Sequence, residues 1–163
     1  MLKKGNRTED MSLNKGSKEK EAILQPESIE LKIPARTEYI TLVRLCISGI
    51  GKRKELTIDE IEDLKMVVSE VCNNSIGHAY NKGTSHNSIE IHFLIYLKKI
   101  IIKIRDHGHG FDTKFVKEYL RRQDDDRTEG IGLGLFLIKK LMDEVEYRSN
   151  PDNGTEVCMI KNL

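Results

Sequence analysis

A chain of 163 residues, 33% charged and 38% hydrophobic, is the size of one domain and apolar enough to bury a core. Its net charge of +1 gives no global reason to expect direct nucleic-acid or anionic-membrane binding. No apolar run approaches a membrane span, and no apolar signal core follows the lysine-rich N-terminus, so a cytoplasmic protein is expected.

The first 27 residues are polar and rich in Lys, Glu, Ser, Asn and Gly, and read as a flexible tail. Ile29, Leu31 and Ile33 alternate with polar residues and stop at Pro34, the pattern of a short strand. From Glu38 the apolar residues Ile40, Val43, Leu45, Ile47 and Ile50 recur at helical spacing, and Gly49 and Gly51 mark the expected exit. A second helix opens at Thr57, with Glu60 three residues on as capping-box partner. Its apolar stripe is Ile61, Leu64, Val68, Val71 and Cys72, and it runs to about Ala79. Ser88 to Leu97 and Ile100 to Arg105 then alternate as two strands of a tight hairpin. A short helical pattern (Phe115, Val116, Tyr119, Leu120) precedes the acidic run Asp124 to Asp126. A glycine-rich turn leads into a helix from Leu133 to Met142, and strands Glu144 to Arg148 and Thr155 to Ile160 close the chain. Helices grouped early and strands paired as hairpins describe an α+β fold: an open, mixed or mostly antiparallel sheet with helices on one face. Cys46, Cys72 and Cys158 lack metal-ligand spacing and read as reduced core residues. The five histidines offer no convincing metal set either.

Three short segments carry residues suited to chemistry. On the second helix, Glu70, Asn74 and His78 follow one another at four-residue steps, away from the apolar stripe. An Asn carbonyl is a hard oxygen suited to Mg²⁺, and a Glu one turn earlier could accept a proton from a nucleophile attacking a phosphate. The bland alternative is an ordinary solvated face. Two adjacent Asn residues in a helix interior, Asn73 and Asn74, are poor helix formers and argue against it. The segment Asp106-His107-Gly108-His109-Gly110 leaves a strand with glycines that permit close backbone approach. A carboxylate only accepts hydrogen bonds, so Asp106 suits an exocyclic amino group such as that of adenine. A site built for such a bond rejects a purine lacking the donor by roughly 10⁴-fold. A β-turn with a helpful Asp would look the same. Gly130-Ile131-Gly132-Leu133-Gly134 opens a helix whose free amides suit phosphate. It is neither a P-loop nor a dinucleotide fingerprint, because no Gly-Lys-Ser/Thr follows and no strand leads into it.

The order of these segments is far more specific than any one of them. Glu-x-x-x-Asn, Asp-x-Gly-x-Gly, Gly-x-Gly-x-Gly and a final Gly154-Thr155 resemble the GHKL superfamily of ATPases. Within it the chain looks most like the RsbW-type anti-sigma-factor serine kinases. That closer likeness rests on Ile33-Pro34-Ala35, on Glu38 through Leu45, and on Ile61 through Lys65. It continues in Val68-Ser69-Glu70, His78-Ala79-Tyr80, Gly132 through Leu135 and Leu141 through Val145. The resemblance spans about residue 28 to residue 163 and implies a Bergerat-type ATP-binding sandwich. It implies Glu70 as general base and Asn74 as Mg²⁺ ligand, with Asp106 on the adenine and Gly108 and Gly110 shaping that loop. Gly132, Leu133 and Gly134 would meet the phosphates, Thr155 would support the adenine, and His78 would line the pocket. It further implies a kinase that sequesters a sigma factor and phosphorylates a STAS-type anti-anti-sigma protein. A homodimer, with the early strand and first helix as candidate contacts, also follows from it. The segment between Asp112 and Glu129 is shorter than the family's lid and carries the acidic run. A non-catalytic, nucleotide-responsive partner switch is the competing reading, and Glu70 separates the two.

Overall fold

The computed structural model describes residues 25–78, 87–121, 132–149 and 153–163. Nearly all of the expected tail, the acidic run, the start of the glycine-rich turn and the tip of the last hairpin lie outside them. In chain order the elements are β1 (Glu27–Pro34), a 3₁₀ turn (Thr37–Tyr39), α1 (Ile40–Arg53) and α2 (Ile58–His78). They continue with β2 (Ser88–Ile95), β3 (Lys99–Asp106), α3 (Lys114–Arg121), α4 (Leu133–Leu141), β4 (Glu144–Ser149) and β5 (Thr155–Asn162). The five strands form one sheet in the order β1-β2-β3-β5-β4. Every pairing in it is antiparallel, where the sequence left room for a mixed sheet.

Strict alternation gives the sheet two unlike faces. On one, Ile89, Ile91, Phe93 and Ile95 of β2 lie beside Ile100, Ile102 and Ile104 of β3, all buried. Val43, Ile47 and Ile50 of α1 join Leu64, Val67, Val68 and Val71 of α2 in the same core cluster. Fully burying one such Ile or Val side chain stabilises the fold by about 1.5–3 kcal/mol. The register sets Lys32 opposite Glu90, Glu90 opposite Arg105, Arg105 opposite Glu156, and Glu156 opposite Arg148. A row of alternating charge therefore crosses all five strands on the other face, with Lys32 Nζ 3.0 Å from Glu90 Oε1. Beside it run Glu30, His92, Lys103, Cys158 and Glu146, also matched strand to strand.

The start of α2 follows the capping-box expectation closely. The Thr57 amide donates to Glu60 Oε2 at 2.8 Å, and the Glu60 amide donates to Thr57 Oγ1 at 3.2 Å. Those amide and hydroxyl contacts hold the Glu60 carboxyl below its ordinary range. The end of α1 departs from expectation. The helix continues through Gly49 and Gly51 to Arg53, and the chain turns at Glu55, which has φ 56°. Gly51 marks a helix crossing, not an exit: a Cβ there would overlap the Ile61 side chain of α2. Only Cys72 meets the core reading in full. Cys46 borders the core, and Cys158 lies half-buried on the charged face. Asp106 is the last residue of β3, whereas a loop position was expected.

Candidate functional site

At one end of the helix-covered face is a cleft of about 380 Å³. Val71, Asn74 and Ser75 reach it from α2, and Asp106, Gly110 and Phe111 from the end of β3 and its loop. Val116 of α3, Leu135 of α4, Tyr147 of β4, and Thr155 and Val157 of β5 complete the lining. The long-range pairing of β3 with β5 brings Asp106 to Thr155, a proximity the linear sequence does not contain.

Asp106 is buried, and its Oδ1 accepts two backbone amides, Gly108 N at 3.1 Å and Thr155 N at 3.1 Å. Both donors fix the carboxylate, and neither uses Oδ2. Gly154 makes the approach possible. Its φ is +74°, and a Cβ there would overlap the carbonyl oxygen of Asp106. Gly110 also needs the left-handed region, at φ 66°. One residue before the closing turn, Ser149 ties the neighbourhood together. Its Oγ accepts from Phe111 N at 2.9 Å and lies 3.1 Å from Gly154 O and 3.0 Å from Thr155 Oγ1. The Phe111 ring meets Tyr147 edge-on at 6.4 Å between centroids.

Beside the cleft, next to its lining residues Val71 and Leu135, the chain is built differently. Helix α4 packs against α2. Gly132 is its N-cap, with no side-chain cap bond, and Leu133 and Gly134 are its first two residues. The first internal bonds of α4 run from Leu135 N and Phe136 N to Gly132 O, so the amides of Leu133 and Gly134 precede them. A Cβ on Gly134 would overlap the Glu70 carboxylate. Glu70 thus lies directly on the first turn of α4, where the helix dipole favours negative charge. Burial, and after it the charge of Glu70, push the Tyr147 phenol well above its ordinary range, so Tyr147 stays neutral beside that carboxylate.

Of the residues singled out from sequence, Asn74, Asp106, Gly110 and Thr155 share the cleft wall, and Gly108 is bonded to Asp106. Glu70 and Gly134 touch, Gly132 and Leu133 begin α4, and His78 is the last residue of α2. Sequence reading missed Tyr147, Phe111, Ser75 and Ser149. The inward-pointing alternation of Val145 and Tyr147 was a usable signal for Tyr147. Nothing local marked Ser149, whose amide donor Phe111 is 38 residues away. Among the described residues no group of three His, Cys, Asp or Glu side chains could hold a metal by itself.

Comparison with known proteins assigns this architecture. Residues 33–161 match the family model of the histidine kinase-like ATPase domain, and the chain belongs to that family, whose members use ATP. Solved structures agree on the fold. A chain of the SiaB–SiaC complex from Pseudomonas aeruginosa superposes with TM-score 0.64 at 13% identity, covering 94% of this chain and 99% of that one. The histidine kinase domain of the Erythrobacter litoralis EL346 blue-light activated kinase gives 0.51 at 17%, over 80% of this chain and 62% of that one.

Within the family the chain is a serine-protein kinase of the RsbW group. It is 41% identical over 144 residues to the serine-protein kinase RsbW of Halalkalibacterium halodurans, covering 85% of each chain. Against the RsbW of Staphylococcus aureus the identity is 42% over 138 residues, covering 82% of this chain and 85% of that protein. No described helix is long and apolar enough to cross a membrane.

Proposed function

We propose that the cleft holds ATP with its base at Asp106 and its phosphates toward α4, and that Glu70 activates a serine or threonine hydroxyl of a partner protein. The observation that carries this is the contact between Glu70 and Gly134, which puts a carboxylate at the helix start one turn before Asn74. The other Asp106 oxygen, Oδ2, accepts from the adenine amino group, Thr155 supports it, and Gly108 and Gly110 shape the loop around the base. Leu133 and Gly134 offer amides to the phosphates after Gly132, and His78 stands at the end of the same helix. Asn74 fits a Mg²⁺ ion: it is an exposed amide oxygen on the cleft wall, and this ion takes most other ligands from water and phosphate. Bound there, the ion would shield the charge on the transferring phosphoryl group. Glu70 accepts the hydroxyl proton as the oxygen attacks the γ-phosphorus, and ADP departs.

The partner readings follow from the RsbW group. One partner is a sigma factor held inactive; the other is a STAS-type antagonist that receives the phosphoryl group. The kinase acts as a homodimer. Glu70→Gln tests the chemistry: nucleotide affinity stays within about threefold of wild type, while phosphotransfer falls by roughly 10²–10⁴-fold. Purified protein, labelled ATP, Mg²⁺ and the antagonist suffice to measure both. A variant transferring phosphate at the wild-type rate removes Glu70 from the role of base. Binding without transfer by the wild type leaves a passive switch.

A further inference from the structure

The geometry points to Ser149 as a positioning residue that fixes the Thr155 hydroxyl as an acceptor toward the nucleotide base, and so helps select an amino-bearing purine. This deepens, and rests on, the reading that the base sits at Asp106.

A serine hydroxyl has one proton and two lone pairs. Among the described residues Ser149 Oγ has three hydrogen-bonding neighbours: Phe111 N, Gly154 O and Thr155 Oγ1. The amide of Phe111 can only donate, so it occupies one lone pair. The carbonyl of Gly154 can only accept, so it takes the proton. The contact with Thr155 is then a hydrogen bond only if Thr155 donates into the second lone pair. A single assignment satisfies all three contacts, and it commits the Thr155 proton to Ser149.

Thr155 lines the cleft beside Asp106. With its proton turned to Ser149, its hydroxyl shows the cleft only lone pairs, and Asp106 likewise offers only acceptors. Two acceptors side by side suit an exocyclic amino group with two protons. They repel a carbonyl oxygen at the same place. Without Ser149 the Thr155 hydroxyl rotates freely and can donate, which relieves the repulsion for a carbonyl-bearing purine and leaves Phe111 N without that partner.

Binding of ADP and GDP to the full chain, by calorimetry, tests this without turnover. For Ser149→Ala the ratio of ADP to GDP affinity should fall by about tenfold, the equivalent of one hydrogen bond, with ADP weakened and GDP not. Ser149→Thr keeps the hydroxyl and retains the ratio. Ser149→Cys, a weak donor and acceptor, falls between. A folded Ser149→Ala that weakens both nucleotides equally, or neither, overturns the assignment. So does loss of the fold in both the Ala and Cys variants while the Thr variant folds, since Ser149 is then a structural residue only. Asp106→Asn separates the two levels. If it leaves the ADP to GDP ratio unchanged, the base pocket itself is misplaced. If it collapses the ratio while Ser149→Ala does not, only the role of Ser149 fails.

Discussion

The Asp106 end of the cleft and the start of α4 beside it hold their polar groups by opposite means. At the Asp106 end, backbone amides and one serine hydroxyl bind the carboxylate, the hairpin turn and the loop into one bonded unit. At the Gly134 end the helix start has no side-chain cap, and what positions Glu70 is the space left by a missing Cβ. The first end is a socket whose shape exists before a ligand arrives. The second is a steric allowance at a helix start whose first amides precede the internal bonds of α4. On the proposed reading, the first arrangement recognises a base, and the second places a carboxylate beside helix amides suited to phosphate.

The largest expected effect comes from breaking the bonded end. Gly154→Ala meets both a left-handed backbone and the Asp106 carbonyl, and should destabilise the fold by about 3 kcal/mol or more. Denaturant titration with and without ADP reads this, and nucleotide should no longer raise the midpoint. An unaltered midpoint would show that the turn tolerates a side chain.

Gly134→Ala attacks the other end. It should displace Glu70 and lower phosphotransfer by about 100-fold while ADP affinity stays within about threefold. Shortening the carboxylate by one methylene, in Glu70→Asp with Gly134→Ala, should recover more activity than the two single effects predict. Simple additivity would mean that the two positions do not communicate.

Two smaller effects calibrate the scaffold around both ends. Burial raises the Cys72 thiol from 9.0 to about 12. The unfolded chain therefore releases that proton first, so stability present below pH 9.0 declines as pH rises toward 12. Cys72→Val should flatten part of that decline, and a thiol reagent near pH 8 should reach Cys46 and Cys158 well before Cys72. Equal reaction at all three would contradict the packing of α2. Tyr119 is buried on α3, and its hydroxyl has no hydrogen-bond partner among the described residues. Tyr119→Phe should therefore raise stability by about 1 kcal/mol in a thermal melt, with a loss of that size pointing to a bound water instead.

What the sequence showed and what it hid follow from the range of the interactions. The Thr57–Glu60 box spans four residues and was read residue for residue. Strand faces were equally plain, because alternation is local. Gly51 was misread because its partner, Ile61, lies on the next helix, and a glycine at a crossing looks like one at a helix end. Asp106 was chosen for its chemistry, but its grip on Thr155 N depends on β3 lying beside β5, and no local pattern encodes that strand order. The motif glycines were legible as a set; that Gly134 clears space for Glu70 became visible only once α4 lay against α2.

The charged row across the open face has a consequence for how the sheet finds its alignment. A one-residue slip between β1 and β2 would turn the apolar residues outward and is strongly opposed. A two-residue slip keeps every apolar side chain inward, so hydrophobic burial scarcely penalises it. One such slip sets Glu30 opposite Glu90 and leaves Lys32 facing Ser88; the native match pairs Lys32 with Glu90 and Glu30 with His92. Each exposed pair contributes only a few tenths of a kcal/mol, yet it acts where the core is nearly indifferent. The solvent face thus proofreads an alignment that the core alone would leave ambiguous.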